Sequence, residues 1–156
     1  MTMTLAVSTF VSQNRGANQR ERIIKAVRYS NWMSVIWSAI ITIILLFAAP
    51  ALVRFLSGSS EAVVIENGAR YLRINAPFFS VLGILLTMRN SLQGMGEKIV
   101  PLISSVIELI GKIVFVVILI PYLGYFGVMI CEPVIWCLMC AQLVFTFYRD
   151  SYIRGK

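Results

Sequence analysis

The sequence predicts an all-α integral membrane protein, with four full transmembrane helices preceded by the end of another. Three observations predict it. Of the 156 residues, 58% are hydrophobic and only 13% charged, and the mean hydropathy is +0.81; a soluble domain is nearer half apolar with about a quarter charged. The apolar residues fall in long runs broken by short polar segments. The net charge of +7 collects in those segments, which suits membrane topology and not a nucleic-acid-binding face. Membrane lipid is therefore an expected partner and nucleic acid is not.

The organising stretch is Tyr71 to Pro101. Ile74 to Met88 carries no charge, and Arg89, Asn90 and Gln93 close the run with polar groups. Pro77 sits one turn inside it and takes away the hydrogen bond to the Arg73 carbonyl, so a bend and a candidate hinge are expected there. Gly94 to Lys98 reads as a tight turn, and Pro101 falls in the first turn of the next helix, where a missing N–H costs little. Two apolar segments joined this closely are expected to lie antiparallel and side by side.

The other elements follow in order. Met1 to Ser12 is apolar but too short to cross a core ~30 Å thick at ~1.5 Å per residue. It has no basic n-region or cleavage site, and it reads as the last turns of a truncated helix, giving a first unit of 1–14. Residues 15–29 read as a basic cytoplasmic loop, with Gly16 ending one helix and Asn18 capping the next in a loose capping-box pattern with Glu21. Residues 30–156 read as the four-helix transmembrane part. Trp32 to Val53 is the first span, with Trp32 and Trp37 at its interfacial start and Pro50 and Arg54 at its far end. Ser57 to Ser60 is a loop, and Glu61 to Arg73 is a polar, mostly helical approach to the second span, Ile74 to Gln93. The third span runs from Ile99 to Ile120 and is ended by Pro121. Tyr122 to Tyr125 is a turn, Phe126 to Tyr148 the fourth span, and Arg149 to Lys156 a tail.

Charged and polar residues inside these spans are the candidates for function. Glu108 and Lys112 share one helix face at i, i+4, about nine residues from the inner end of their span and so near mid-membrane. Ser104 and Ser105 extend that polar stripe. Charges at such depth face a bundle interior or a watery cavity. Two readings stand: a cation- or proton-responsive site, and a mutually neutralising pair that fixes packing. Arg89 reads as an anchor snorkelling to the interface, or as a cavity-rim residue. Glu132 reads as a helix-start cap or as a lining residue of an outward cavity, with Trp136 a turn below it.

The absence of histidine excludes histidine-based metal sites and triads. The cysteines Cys131, Cys137 and Cys140 lie in an apolar helix and read as small packing residues despite a C-x-x-C spacing. The sequence contains no nucleophile–base set and no phosphate loop, since no strand precedes Gly94-Met95-Gly96. No catalytic residue, metal or cofactor is expected, and the protein does not read as an enzyme.

Several of these segments together resemble one family. Ser12-Gln13-Asn14-Arg15-Gly16-Ala17 followed by Glu21-Arg22 resembles the Q-N-x-G-A … E-R signature of the multidrug and toxic compound extrusion (MATE) transporters. Tyr71-Leu72-Arg73-Ile74 with Ala76-Pro77 is similar to the family's Y-L-R-I-x-x-P helix start. Asn90 to Gly96 with Pro101 is similar to its L-Q-G-x-G … P turn, and Glu132-Pro133 with Trp136 to the ending of its second lobe. The resemblance implies the last five helices of a twelve-helix, two-lobe fold, the first of them cut short. It implies efflux of a small, cationic or amphiphilic substrate by antiport of Na⁺ or H⁺, by alternating access between this part and the missing N-terminal lobe. The family's acidic site in the first lobe has no counterpart here. A lipid-linked oligosaccharide or polysaccharide flippase of the same superfamily is the alternative. A non-transporting gene remnant, or a membrane module that assembles only with a partner, is a third reading.

Orientation follows from lysine and arginine. Arg15, Arg20, Arg22, Lys25, Arg28, Lys98, Arg149, Arg154 and Lys156 lie on one side, against Arg54, Arg70 and Arg73 on the other. The first side, with the C-terminus, is expected to be cytoplasmic, in the plasma (inner) membrane. A topology reporter fused after Lys156 should read cytoplasmic and one inserted at Gly58 external. A cytoplasmic readout at Gly58 would overturn the four-span arrangement.

Overall fold

The computed structural model describes residues 2–58 and 60–155, and among them there are helices and no strand. Ser59 of the expected loop and Lys156 of the expected tail lie outside the described residues. Helix α1 is Thr2–Gly16, α2 Arg20–Ser57 and α3 Ala62–Asn75. A 3₁₀ turn over Ala76–Phe78 joins α3 to α4, Phe79–Gly94. Helix α5, Ile99–Val114, runs through a π-turn at Phe115–Leu119 into α6, Ile120–Leu123. Helix α7 is Tyr125–Arg149 and α8 Ser151–Arg154. Four helical stretches are long and apolar enough to cross a membrane: Arg20–Ser57, Ala62–Gly94, Ile99–Leu123 and Tyr125–Arg149. The protein is an all-α integral membrane protein.

Helix α4 is the centre of the bundle, packed against α1, α2 and α7. Its Leu85, Met88 and Leu92 are buried with Val11 of α1, Ile23 and Val27 of α2, and Met139, Leu143 and Phe147 of α7. The close crossings rest on missing side chains. A Cβ on Gly94 would lie 2.5 Å from the Ser8 carbonyl oxygen, and one on Gly83 would lie 2.8 Å from Cβ of Ser34. Small residues let helix backbones approach in a medium where hydrophobic association between helices is weak. Thr87 and Ser91 are buried on α4, and each donates its hydroxyl to the carbonyl one turn back, Gly83 at 2.9 Å and Thr87 at 2.7 Å. The outer faces are the reverse of a soluble protein's: Ile36, Trp37, Ile43 and Phe47 of α2 are exposed, as suits a helix solvated by acyl chains.

The structure corrects several boundaries. Only Ala17, Asn18 and Gln19 separate α1 from α2, so most of the stretch 15–29 is helix and its basic residues ride on the first turns of α2. The cap of α2 is Gln19, without a side-chain bond. Asn18 instead closes α1: it has φ 54°, with Asn18 N–H donating to Arg15 and Gln19 N–H to Asn14. That is a Schellman ending, in which asparagine tolerates the left-handed conformation. Gly96, with φ 88°, ends α4 in the same way. Pro50 does not terminate α2, which continues to Ser57. Helix α2 begins at Arg20, so Trp32 and Trp37 lie about three turns or more inside the helix itself. Pro121 does not terminate the third span either. The π-turn just before it widens the helix where the proline ring would clash with the Val117 carbonyl, and the chain stays helical to Leu123. The break is Gly124 alone, at φ 56° and ψ −138°, a conformation open essentially to glycine. The tail folds into α8, capped by Asp150, whose carboxylate accepts from the N–H groups of Tyr152 and Ile153. Arg15 stacks over the Tyr152 ring at 4.2 Å and thus ties α8 to α1.

The expectation that the two helices around the Gly96 turn lie side by side is met only in part. Helix α5 touches α4 but packs mainly on α7. The α5–α7 crossing is tight at Gly111, where a Cβ would lie 3.0 Å from Cγ1 of Ile135.

Prolines inside spans leave carbonyls without N–H partners, and here two such carbonyls are taken by side chains of α3. Pro50 frees the Leu46 carbonyl, which accepts from Arg73 Nε at 3.1 Å. Pro133 frees the Met129 carbonyl, which accepts from Asn75 Nδ2 at 3.1 Å. Between them, Thr42 Oγ1 donates to the Ala76 carbonyl at 2.8 Å, at the 3₁₀ turn that carries Pro77. Asn75 is 2% exposed, so no solvent replaces its amide. Asn75→Leu should lower stability by about 1–3 kcal/mol, the cost of an orphaned buried acceptor. Asn75→Leu with Pro133→Ala should recover most of it, because residue 133 regains an N–H for Met129. Thermal unfolding in detergent reads both; a double variant no more stable than the single one would contradict the pairing.

Candidate functional site

Helix α5 is strongly amphipathic, and one of its faces carries Glu108 and Lys112. Lys112 Nζ lies 2.9 Å from Glu108 Oε1 on its own helix. It also lies 3.3 Å from Glu132 Oε1 on α7. The ammonium thus sits between two carboxylates from two spans, and the cluster keeps one negative charge in excess. The three side chains are 34%, 43% and 29% exposed for Glu108, Lys112 and Glu132, so the cluster is not sealed in the core, and Lys112 and Glu132 line a groove. The groove, of about 230 Å³, is walled by Tyr71 of α3, Cys131 and Val128 of α7, and Val116 and Ile120 on the far side of the Lys112 turn. The π-turn begins three residues after Lys112 and places Val116 and Ile120 beside it.

Glu132 is not a helix cap. Helix α7 begins at Tyr125, about two turns earlier. The apolar residues of 125–131 continue the helix because Gly124 alone breaks the chain. Trp136 is partly buried and stacks at a tilt on Phe79 of α4, with ring centroids 6.2 Å apart. Ser105 does not join Lys112; its Oγ accepts from Arg89 Nη2 of α4 and donates to the Pro101 carbonyl. Arg89 therefore braces α4 against α5 near the Gly96 turn. Ser104 is fully buried, and its hydroxyl has no partner among the described residues. Pro77 lies in the 3₁₀ turn, apart from the carboxylates. The structure brings Glu108, Lys112 and Glu132 together and leaves Ser104, Ser105, Arg89 and Trp136 outside that cluster. The cysteines are free thiols, and no group of three potential metal ligands occurs among the described residues.

Sequence reasoning did not link Lys112 to Glu132, nor find Tyr71, Thr42, Arg73 and Asn75. The prolines did carry a signal for two of these. Each mid-span proline orphans a carbonyl four residues earlier, and a bilayer leaves only a side chain to satisfy it.

A helical bundle that holds a charged cluster in a groove between spans has the architecture of a polytopic transporter. The MatE family model matches residues 1–118, that is 118 of the 156 residues, and the chain belongs to the MatE family. Members of that family are transporters and not enzymes, so this is a transporter chain. No curated protein and no solved structure matches it.

The two-carboxylate geometry predicts unequal effects of mutation. Glu108→Gln leaves Lys112 paired with Glu132, whereas Lys112→Met leaves two carboxylates facing each other unpaired. The folded yield, measured by size-exclusion chromatography in detergent, should fall several-fold more for Lys112→Met than for Glu108→Gln. Adding Glu108→Gln and Glu132→Gln to Lys112→Met should restore it. Equal losses in the two single variants would contradict a shared cluster.

Proposed function

We propose that this chain forms part of the second lobe of a secondary antiporter, which expels cationic or amphiphilic small molecules in exchange for Na⁺ or H⁺. Family membership supports transport in general. The observation that carries the finer reading is the Lys112 ammonium held between Glu108 and Glu132. An excess carboxylate in a groove between membrane helices attracts a cation, and intramembrane ionisable groups mark ion pathways. Lys112 acts as a tethered cation. A Na⁺ ion or proton that takes one carboxylate leaves the ammonium to the other, so occupancy changes which helix Lys112 is bound to. That couples ion binding to the relation between α5 and α7. Alternating access uses a second lobe facing this one, with the break at Pro77 as the hinge of the span that carries Tyr71. The bundle sits in the plasma membrane with residues 149–156 on the cytoplasmic side.

The test is efflux measured against pH and against Na⁺ in proteoliposomes holding a two-lobed transporter that contains this chain. Glu108→Gln and Glu132→Gln should each flatten the ion dependence while leaving the protein folded. Lys112→Met should shift the dependence. An unchanged ion dependence in both glutamine variants removes the cluster from coupling and leaves it as packing.

A further inference from the structure

A second cavity, of about 690 Å³, lies away from the carboxylate cluster, between the end of α2 and the outer face of α3. Its walls include Pro50 of α2 and Ile65, Glu66, Arg70, Arg73 and Ile74 of α3. We propose that this cavity binds an anionic phospholipid, with the headgroup phosphate between Arg70 and Arg73 and the glycerol end of its acyl chains against Ile74. Arg70 and Arg73 stand three residues apart, on one face of the helix. Two guanidiniums face one carboxylate, Glu66, and no ion pair joins Glu66 to either arginine among the described residues. The lining is therefore cationic, with apolar residues beside the two arginines. Arg73 is held in place by its Nε bond to the Leu46 carbonyl, which keeps the guanidinium at the cavity wall without consuming its charge. Guanidinium forks match phosphate oxygens.

Depth selects a lipid over a soluble anion. The helical stretch Ala62–Gly94 has 33 residues. Counted from Gly94 at ~1.5 Å per residue, Arg73 lies ~31 Å and Arg70 ~36 Å along it, at the edge of a core ~30 Å thick, where phosphates reside. Ile74, the next residue toward Gly94, is the apolar wall residue on the core side of the arginines.

Native mass spectrometry of the purified full chain tests this with dioleoylphosphatidylglycerol and dioleoylphosphatidylcholine. The chain should retain phosphatidylglycerol in preference to phosphatidylcholine. Arg70→Gln should weaken phosphatidylglycerol binding roughly fivefold, the effect of one basic residue near a lipid surface, and Arg70→Lys should retain most of it. Arg70 is the position to change because Arg73→Gln also orphans the Leu46 carbonyl. Equal retention of the two lipids, or undiminished phosphatidylglycerol binding in Arg70→Gln, overturns the proposal. Displacement of the lipid by glycerol 3-phosphate at equal concentration also overturns it, since a free phosphate would then suffice.

Discussion

A carbonyl oxygen that a proline leaves unbonded inside a bilayer has no water to turn to. Much of this fold depends on that constraint. Helices α2 and α7 each contain a proline, and the last turn of α3 satisfies both freed carbonyls, Arg73 at Leu46 and Asn75 at Met129. Three spans are thereby fixed in register by bonds that are strong because their surroundings are dry. The 3₁₀ break that carries Pro77 follows directly, with Thr42 donating to the Ala76 carbonyl. The break in the second span is thus flanked by its most specific contacts.

The fold class was legible because bilayer-spanning helices advertise themselves by length and hydropathy, and the four spans fall where apolar runs predict them. Helix ends were less legible. Pro121 reads as a stop to any rule built on the α-helical hydrogen bond, and only a change of helix type at Phe115–Leu119 lets the chain pass it. Asn18 and Glu21 match a capping pattern, yet the asparagine serves the helix before it, because the left-handed conformation needed there outweighs the side-chain cap. Of the cluster, Glu108 and Lys112 were readable from i, i+4 spacing on one helix. Glu132 was not, because its distance from Lys112 depends on how α5 leans on α7, which is tertiary information.

The lean of α5 onto α7 connects packing with electrostatics. Gly111 lets Ile135 approach the α5 backbone one residue before Lys112, and this close crossing brings Glu132 within 3.3 Å of the ammonium. A larger side chain at 111 would separate the helices and the charges together. The cavity beside Arg70 and Arg73 has the opposite sign, so the same turn of α3 borders a cationic wall through its arginines and the anionic cluster through Tyr71.

The π-turn has a rotational meaning. Each residue of an α-helix advances the chain by about 100° around its axis, and a π-turn accommodates one residue more than an α-turn would. The five residues Phe115–Leu119 therefore set the angular phase between Lys112 and everything from Pro121 onward. Wound as ordinary α-helix, the same five residues would swing the Gly124 break about a quarter-turn further around the axis, so that α7 would begin on another side of α5. The meeting of two carboxylates at one lysine depends, in this sense, on the wider turn between Lys112 and Gly124.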